Sequence, residues 1–393
     1  LNGSNKVVAY DLPSLVSPTL KWERIQTLDI GGDFGFFNNE LNISFDWYQR
    51  TTKDMLAPGQ TMPDVLGAGA PKINAGTLRT RGWELSIDWR HHFNEVNVYA
   101  NASIGDFKTV ITKWDNDSQL LNENYSGKVY GDIWGFETDR YFTKDDFNAD
   151  GSYKEGIASQ KKLEQDGFVY GPGDIKFKDL NNDKEINGGE GTVKDHGDLK
   201  VIGNTTPRYQ YGFRLGGEWK GIDIDMFFQG VGKCDAWTQS AFVMPMMRGA
   251  DAIYANQANY WTDENPDPNA DFPRMWPGNA GKGTVSVLDL GNHNFYPQSK
   301  YLVNMAYLRF KNLTIGYTLP KDWTRKVYMD KVRVYFSANN ICELINKSNA
   351  PVDPEVNTSE AIANGGSNDY GNGTWGRVDP MYRTVSFGLQ VTF

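Results

Sequence analysis

The chain has 393 residues, 39% of them hydrophobic, with 12 Trp, 20 Tyr, 21 Phe and 41 Gly. The net charge is −9 and no basic run occurs, so nucleic acid has no electrostatic footprint here. No stretch approaches the roughly 20 continuous apolar residues of a spanning helix. That excludes a helical membrane protein but not a membrane barrel, whose strands are apolar only at alternate positions. Cys234 and Cys342 lack metal-ligand spacing, and the four His are scattered, which argues against a zinc site.

Two-residue alternation predicts nine strands. Over residues 21–36, Leu28, Ile30, Phe34 and Phe36 share one face, while Thr27, Asp29, Gly31 and Asp33 share the other. Leu41, Ile43, Phe45 and Trp47 form the second apolar set, and Trp83, Leu85, Ile87 and Trp89 the third. Val96, Val98, Ala100, Ala102 and Ile104 follow. Tyr209, Tyr211, Phe213 and Leu215 lead through Trp219-Lys-Gly221 to Ile222, Ile224, Met226 and Phe228. A seventh strand spans 301–319, and its slipped apolar phase predicts a bulge near Lys311-Asn312. The eighth carries Val332, Val334, Phe336 and Ala338. The ninth alternates Val385, Phe387, Leu389, Val391 and Phe393 with Thr384, Ser386, Gly388, Gln390 and Thr392.

Short connections are expected at 37–40, 92–95, 219–221 and 320–330, and long ones at 54–77, 106–207, 232–299 and 343–380. Their strict alternation matches bacterial outer-membrane barrels, with short periplasmic turns and long extracellular loops. Phe45, Ile87, Phe213, Ile224, Val334 and Leu389 should then face lipid, and Trp47, Trp83, Trp89 and Trp219 should form interface girdles. An odd strand count with the first strand running inward implies an odd number of further strands upstream. Leu1-Asn-Gly-Ser-Asn5 does not resemble a signal peptide.

Several stretches resemble the SusC/RagA family of TonB-linked outer-membrane transporters. They are Pro18-Thr-Leu-Lys-Trp-Glu23 with Asp33-Phe-Gly-Phe-Phe-Asn38, Asp46-Trp-Tyr-Gln-Arg-Thr-Thr-Lys-Asp-Met-Leu56 and Asn74-Ala-Gly through Gly82-Trp-Glu-Leu85. Gly173-Asp-Ile-Lys-Phe-Lys-Asp-Leu-Asn-Asn-Asp183 and Ala306-Tyr-Leu-Arg-Phe-Lys-Asn-Leu-Thr-Ile-Gly-Tyr-Thr-Leu-Pro320 complete the set in family order. Lys184 stands where the family pattern has glycine, and Arg81 where it has asparagine. The resemblance implies an all-β fold, with this chain the C-terminal nine antiparallel strands of a 22-stranded transmembrane barrel. Residues 1–20 would be an upstream extracellular loop and 21–393 barrel, with the plug and other strands preceding them.

Asp179, Asn181, Asp183, Glu185, Asn187 and Glu190 place oxygen side chains at the spacing of an EF-hand-type calcium loop. Lys184 takes the place of the turn glycine and flanking helices are not evident, so a polar Asn/Asp turn is the competing reading. Asp146, Asn148, Asp150 and Gly151 repeat the pattern without the final acid. Trp237, Tyr260, Trp261, Trp276, Tyr370 and Trp375 are candidate lid or cargo contacts, set against internal loop packing. Met244-Pro-Met-Met247 suits gap-filling or partner contact.

No nucleophile constellation appears, so the chain is not expected to be an enzyme and no cofactor is required; a calcium ion at that loop is the one candidate. The resemblance implies import of an oligosaccharide or oligopeptide across the bacterial outer membrane, with a SusD-like lipoprotein lid and with TonB acting through the upstream part. The loops at 232–299 and 343–380 would contact lid and cargo. Import of a metal chelate or cobalamin, or an adhesin or enzyme role, are the alternatives.

Overall fold

The computed structural model describes residues 15–59, 71–116, 118–164, 168–238, 243–245, 253–275, 293–356, 376 and 378–393. In chain order the described strands begin with β1 (Arg24–Phe36), β2 (Leu41–Pro58), β3 (Lys72–Phe93) and β4 (Val96–Trp114). Four short strands follow: β5 (Asp132–Phe136), β6 (Thr138–Tyr141), β7 (Ile175–Phe177) and β8 (Leu199–Asn204). Then come β9 (Arg208–Trp219), β10 (Ile222–Lys233), β11 (Asp235–Ala236), β12 (Val303–Asn304), β13 (Tyr307–Thr318), β14 (Lys331–Asn346) and β15 (Thr384–Thr392). Nine of them form one antiparallel sheet in the order β1-β2-β3-β4-β9-β10-β13-β14-β15, as the alternation predicts. The other six pair as β5-β8, β6-β7 and β11-β12 inside the long connections.

Register puts every apolar set on one face. Ile43 lies opposite Ile87, Ile87 opposite Ala102, and Ala102 opposite Phe213. Phe213, Phe228 and Phe310 then stack with ring centroids 4.6 and 4.5 Å apart, a ladder that crosses three strands. This face has no cover from the described residues: Phe387 is 82% exposed and Leu389 64%, and Phe45, Ile224 and Val334 are exposed as well. Ile87 and Phe213 are half-buried between their neighbours. Trp89 and Trp219 lie near the short turns, whereas Trp47 and Trp83 face each other farther along the strands, so the tryptophans occupy two levels.

The opposite face is polar and cross-linked. Asp225 accepts from the Tyr99 hydroxyl and from Arg214 Nε at 2.7 Å, and Arg333 Nε donates to Asp223 at 2.9 Å. Tyrosines on this face also lie across glycines of the next strand: Tyr48 over Gly82, Tyr99 over Gly216 and Tyr335 over Gly388. A Cβ at Gly82 would come within 2.5 Å of the Tyr48 ring. The missing side chain makes room for a ring that covers the neighbouring backbone and locks register.

Turn chemistry closes the short end. Lys220 (φ 48) and Gly221 (φ 88) are both left-handed, as a two-residue I′ hairpin requires. The predicted bulge is present: Phe227 faces Asn312 and Phe228 faces Phe310, leaving Lys311 unpaired.

The strands nevertheless run farther than alternation indicates. β2 extends to Pro58, β3 starts at Lys72 and β4 reaches Trp114, past the expected loop starts at 54 and 106. Ladder hydrogen bonds continue beyond the apolar band, where register shifts after Thr52 and Thr77 and adjacent apolar pairs such as Met55-Leu56 and Val110-Ile111 erase the two-residue signal. At the other extreme, 301–306 does not join the main sheet, because Val303–Asn304 pairs with Asp235–Ala236.

Replacing Gly82 by Val should displace the Tyr48 ring and destabilise the sheet by about 1–3 kcal/mol. A lower urea midpoint of unfolding, partly restored by adding Tyr48→Ala, is the expected result.

Candidate functional site

The three longest connections leave the same end of the sheet, and their described residues fold against one another. The buried apolar core lies here. Phe142, Phe168, Tyr170, Ile175, Phe177 and Ile186 come from the β4–β9 connection. Met244, Trp261, Phe272, Phe295 and Tyr301 come from the β10–β13 connection, and Ala350 and Val352 from the segment after β14. Each fully buried large apolar side chain contributes roughly 1.5–3 kcal/mol, so the assembly is a folded cap and not a set of independent loops.

Buried polar groups pin the cap. Asp174 is fully buried and accepts from Arg274 Nε at 2.9 Å and Nη2 at 2.5 Å, from Asn294 Nδ2 at 2.8 Å and from the Gly171 amide at 2.8 Å. The Ile175 amide donates to Asn294 Oδ1 at 2.7 Å, joining the two largest connections through desolvated hydrogen bonds. Gln160, also buried, accepts from the Phe177 amide at 2.6 Å and donates to the Ile175 carbonyl at 3.1 Å. Arg309 on β13 bonds Glu343, Asp353 at 2.6 Å and Glu355 at 2.8 Å, and Lys311 meets Glu355 at 2.6 Å. This hub ties the segment after β14 to the wall.

Motif residues far apart in sequence meet at the upper end of β1–β3. Asn74 Oδ1 accepts from the Lys21 amide at 2.7 Å, and Asn74 Nδ2 donates to the Lys21 and Asp54 carbonyls at 2.9 and 2.6 Å. Asp54 pairs with Arg24 at 2.7 Å, and Glu23 accepts from the Leu56 amide at 2.8 Å.

The candidate residues named from sequence separate. Trp261 is only 5% exposed and packs in the cap core against Gly173, the internal packing that is the alternative to a lid or cargo contact. The positive φ of 87° at Gly173 and the lack of a Cβ let the indole lie against the backbone. Trp237 and Tyr260 are partly buried and pack against the same core, and Met244 fills it. Trp276, Tyr370 and Trp375 lie outside the described residues.

The Asp179 loop is turned by its own backbone. Asp179 accepts the Asn182 and Lys184 amides at 2.6 and 2.9 Å. Asn181 and Asp183 accept the Asp183 and Glu185 amides at 3.0 and 2.7 Å. Lys184 sits at φ 67°, the left-handed region that suits the glycine it replaces. Glu185 pairs with Lys162 at 2.6 Å, Asn187 caps the Gly189 amide at 2.8 Å, and Glu190 is exposed. Among the described residues no three or more His, Cys, Asp or Glu side chains are grouped to hold a metal.

Asp146 belongs elsewhere. Burial opposes its ionisation, but Arg140 and the Thr143 amide and hydroxyl outweigh that and hold its carboxyl down at about 2. Asp174, Arg274, Arg309 and Asp353 were not singled out from sequence. The first and third lie inside the quoted motifs, and that was the available signal.

Arg274→Met should leave Asp174 buried without its cation and cost about 3–5 kcal/mol. Hydrogen exchange at 170–177 and 294–301 should rise while the β2–β4 amides stay protected. A native Asp146 carboxyl held below its unfolded value stabilises the cap above pH about 4. That contribution is lost as pH falls through about 2, so Asp146→Asn should flatten the acid limb of cap unfolding followed by proteolysis.

Residues 3–341 match the family model described as TonB dependent receptor-like, beta-barrel. TonB-dependent receptor P3 of Formosa agariphila is 28% identical over 415 residues, covering 100% of this chain and 36% of that protein. TonB-dependent receptor SusC of Bacteroides thetaiotaomicron is 24% identical, covering 88% of this chain and 31% of that protein. Among solved structures, the RagAB peptide transporter superposes with a TM-score of 0.64 at 22% identity, over 96% of this chain and 36% of that one. The chain thus spans about a third of the length of these relatives. An exposed apolar face, a cross-linked polar face and long connections at one end accord with the family match, and the chain belongs to the TonB-dependent receptor β-barrel family.

Proposed function

We propose that this chain is the wall and cap of an outer-membrane importer for an oligomeric nutrient, an oligosaccharide or oligopeptide. TonB would drive it through a part of the protein preceding these strands, and a SusD-like surface lipoprotein would close over the cap. The observation that carries this reading is the family match over residues 3–341, joined to a cap in which the described parts of three long connections share one core. Support for a lid comes from the named relatives SusC and RagAB, the latter a peptide transporter by name. A metal chelate or cobalamin has no such named support among these relatives, and an adhesin or enzyme role has none either.

The cap changes how its role is tested. Removing 232–299 would take Met244, Trp261, Phe272 and Phe295 out of a shared core, so barrel assembly and lid retention would fail together. Point changes separate them. A strain carrying Asp353→Asn in the full-length protein should keep its barrel, because Arg309 retains Glu343 and Glu355, but loosen the segment after β14 and so lose lid retention or growth on the cargo. Normal lid retention and growth on every oligosaccharide and peptide source would count against the reading.

Membrane placement is tested on the wall. Ile224→Arg should cost roughly 2–4 kcal/mol if the site lies near the bilayer midplane. Asp225→Asn is the proper comparison on the polar face, since Asp225→Arg would confront Arg214 with a like charge. Equal losses of heat-modifiable barrel in both variants would reverse the assignment of faces.

A further inference from the structure

A hollow of about 290 Å³ opens where the β10–β13 connection meets the segment following β14, lined by Asn256, Asp271, Phe272, Lys300, Tyr301 and Asn349. Its floor is rigid. Tyr301 stacks on Phe272 with centroids 5.7 Å apart and planes within 7°, and its hydroxyl donates to the Asp271 carbonyl at 2.9 Å. Tyr141, from the β4–β9 connection, braces the same strand of chain by donating to the Ala270 carbonyl at 2.8 Å.

Lys300 and Asp271, of opposite charge, both line the hollow and do not pair with each other. The Lys300 ammonium lies 4.8 Å from the Tyr141 ring centroid and donates to the Ala270 carbonyl at 3.3 Å. Among the described residues it has no carboxylate within ion-pair distance. Burial pulls its pKa down, although the nearby Asp271 carboxylate works the other way. Asp271 is exposed, and one of its oxygens accepts from Asn259 Nδ2 at 3.0 Å. The ammonium therefore has two further N–H donors, and the carboxylate further lone pairs, to offer a ligand.

Charge narrows the ligand to one without net charge. An anion entering beside Lys300 meets Asp271, and a cation beside Asp271 meets Lys300. Adjacent hydroxyls suit both, one donating to the carboxylate and its neighbour accepting from the ammonium. The volume lies at the lower end of the roughly 300–1,000 Å³ typical of ligand pockets, enough for one ring. An extended peptide is recognised along a strand edge or a long groove, and this is a closed-floored hollow instead. We propose that the hollow between Asp271 and Lys300 is a subsite for one ring of a neutral, hydroxyl-rich sugar. The assignment rests on the import reading in one respect: it makes the cargo a glycan.

The test uses the full-length transporter purified from outer membranes. Isothermal titration with neutral hexasaccharides of glucose, mannose, galactose and xylose would be run beside a random hexapeptide pool. One sugar should bind, and Asp271→Asn and Lys300→Met should each weaken it about tenfold or more, the worth of a charge-assisted hydrogen bond. Asp271→Asn is nearly isosteric at an exposed position, so it keeps the test valid should Lys300→Met disturb the cap. Sugar binding unchanged in both variants would overturn the site and leave the import reading standing. Peptide binding weakened by these variants would overturn the sugar assignment, and so would the absence of sugar binding by the unaltered protein. Loss of uptake of every oligomer by the unaltered transporter in cells would instead defeat the import reading.

Discussion

Strand register is the constraint on which the rest of this molecule depends. Side chains repeat every two residues, so a slip of one residue would turn Ile224, Phe228 and Leu389 onto the polar face and Asp225 and Arg214 onto the apolar one. Short left-handed turns, tyrosine rings seated on glycines and the bulge at Lys311 hold that register. None of these devices is strong alone. Together they keep Asp225 beside Arg214 and Asp223 beside Arg333.

Long connections can fold at one end only because the wall presents them together. Ordering so many residues costs on the order of 1–2 kcal/mol each in backbone entropy. The cap offsets this with its own aromatic core and with desolvated bonds centred on Asp174 and Arg309. Arg309 belongs to β13, so the cap is anchored in the wall and displacements at its outer surface can reach the strand. The same logic explains Lys21, Glu23, Asp54 and Asn74, which together bind the upper ends of three strands.

A cap built this way presents a stiff, polar surface with hollows where connections meet. Such a surface can dock a second protein without reordering its own backbone, which keeps the entropic cost of association low. It can also hold a cargo segment at a defined place, since the floor of the Lys300 hollow is set by stacked rings and carbonyl hydrogen bonds.

Alternation alone determined the number of strands in the main sheet, their antiparallel order, the apolar face and the Lys311 bulge, because two-residue periodicity is a local property written in consecutive residues. Motifs such as Gly173-Asp174 and Tyr307-Leu-Arg309 were visible as well, though not their roles. Strand ends at Pro58 and Trp114 were hidden, since ladder bonds between backbones outlast the side-chain pattern. The burial of Trp261, the pairing of Asp174 with Arg274 and the meeting of Asp271, Lys300 and Asn349 were decided only by tertiary structure. These contacts join segments distant in sequence, and whether an aromatic or a charge is spent inside a cap or presented on it depends on which connection folds beside it.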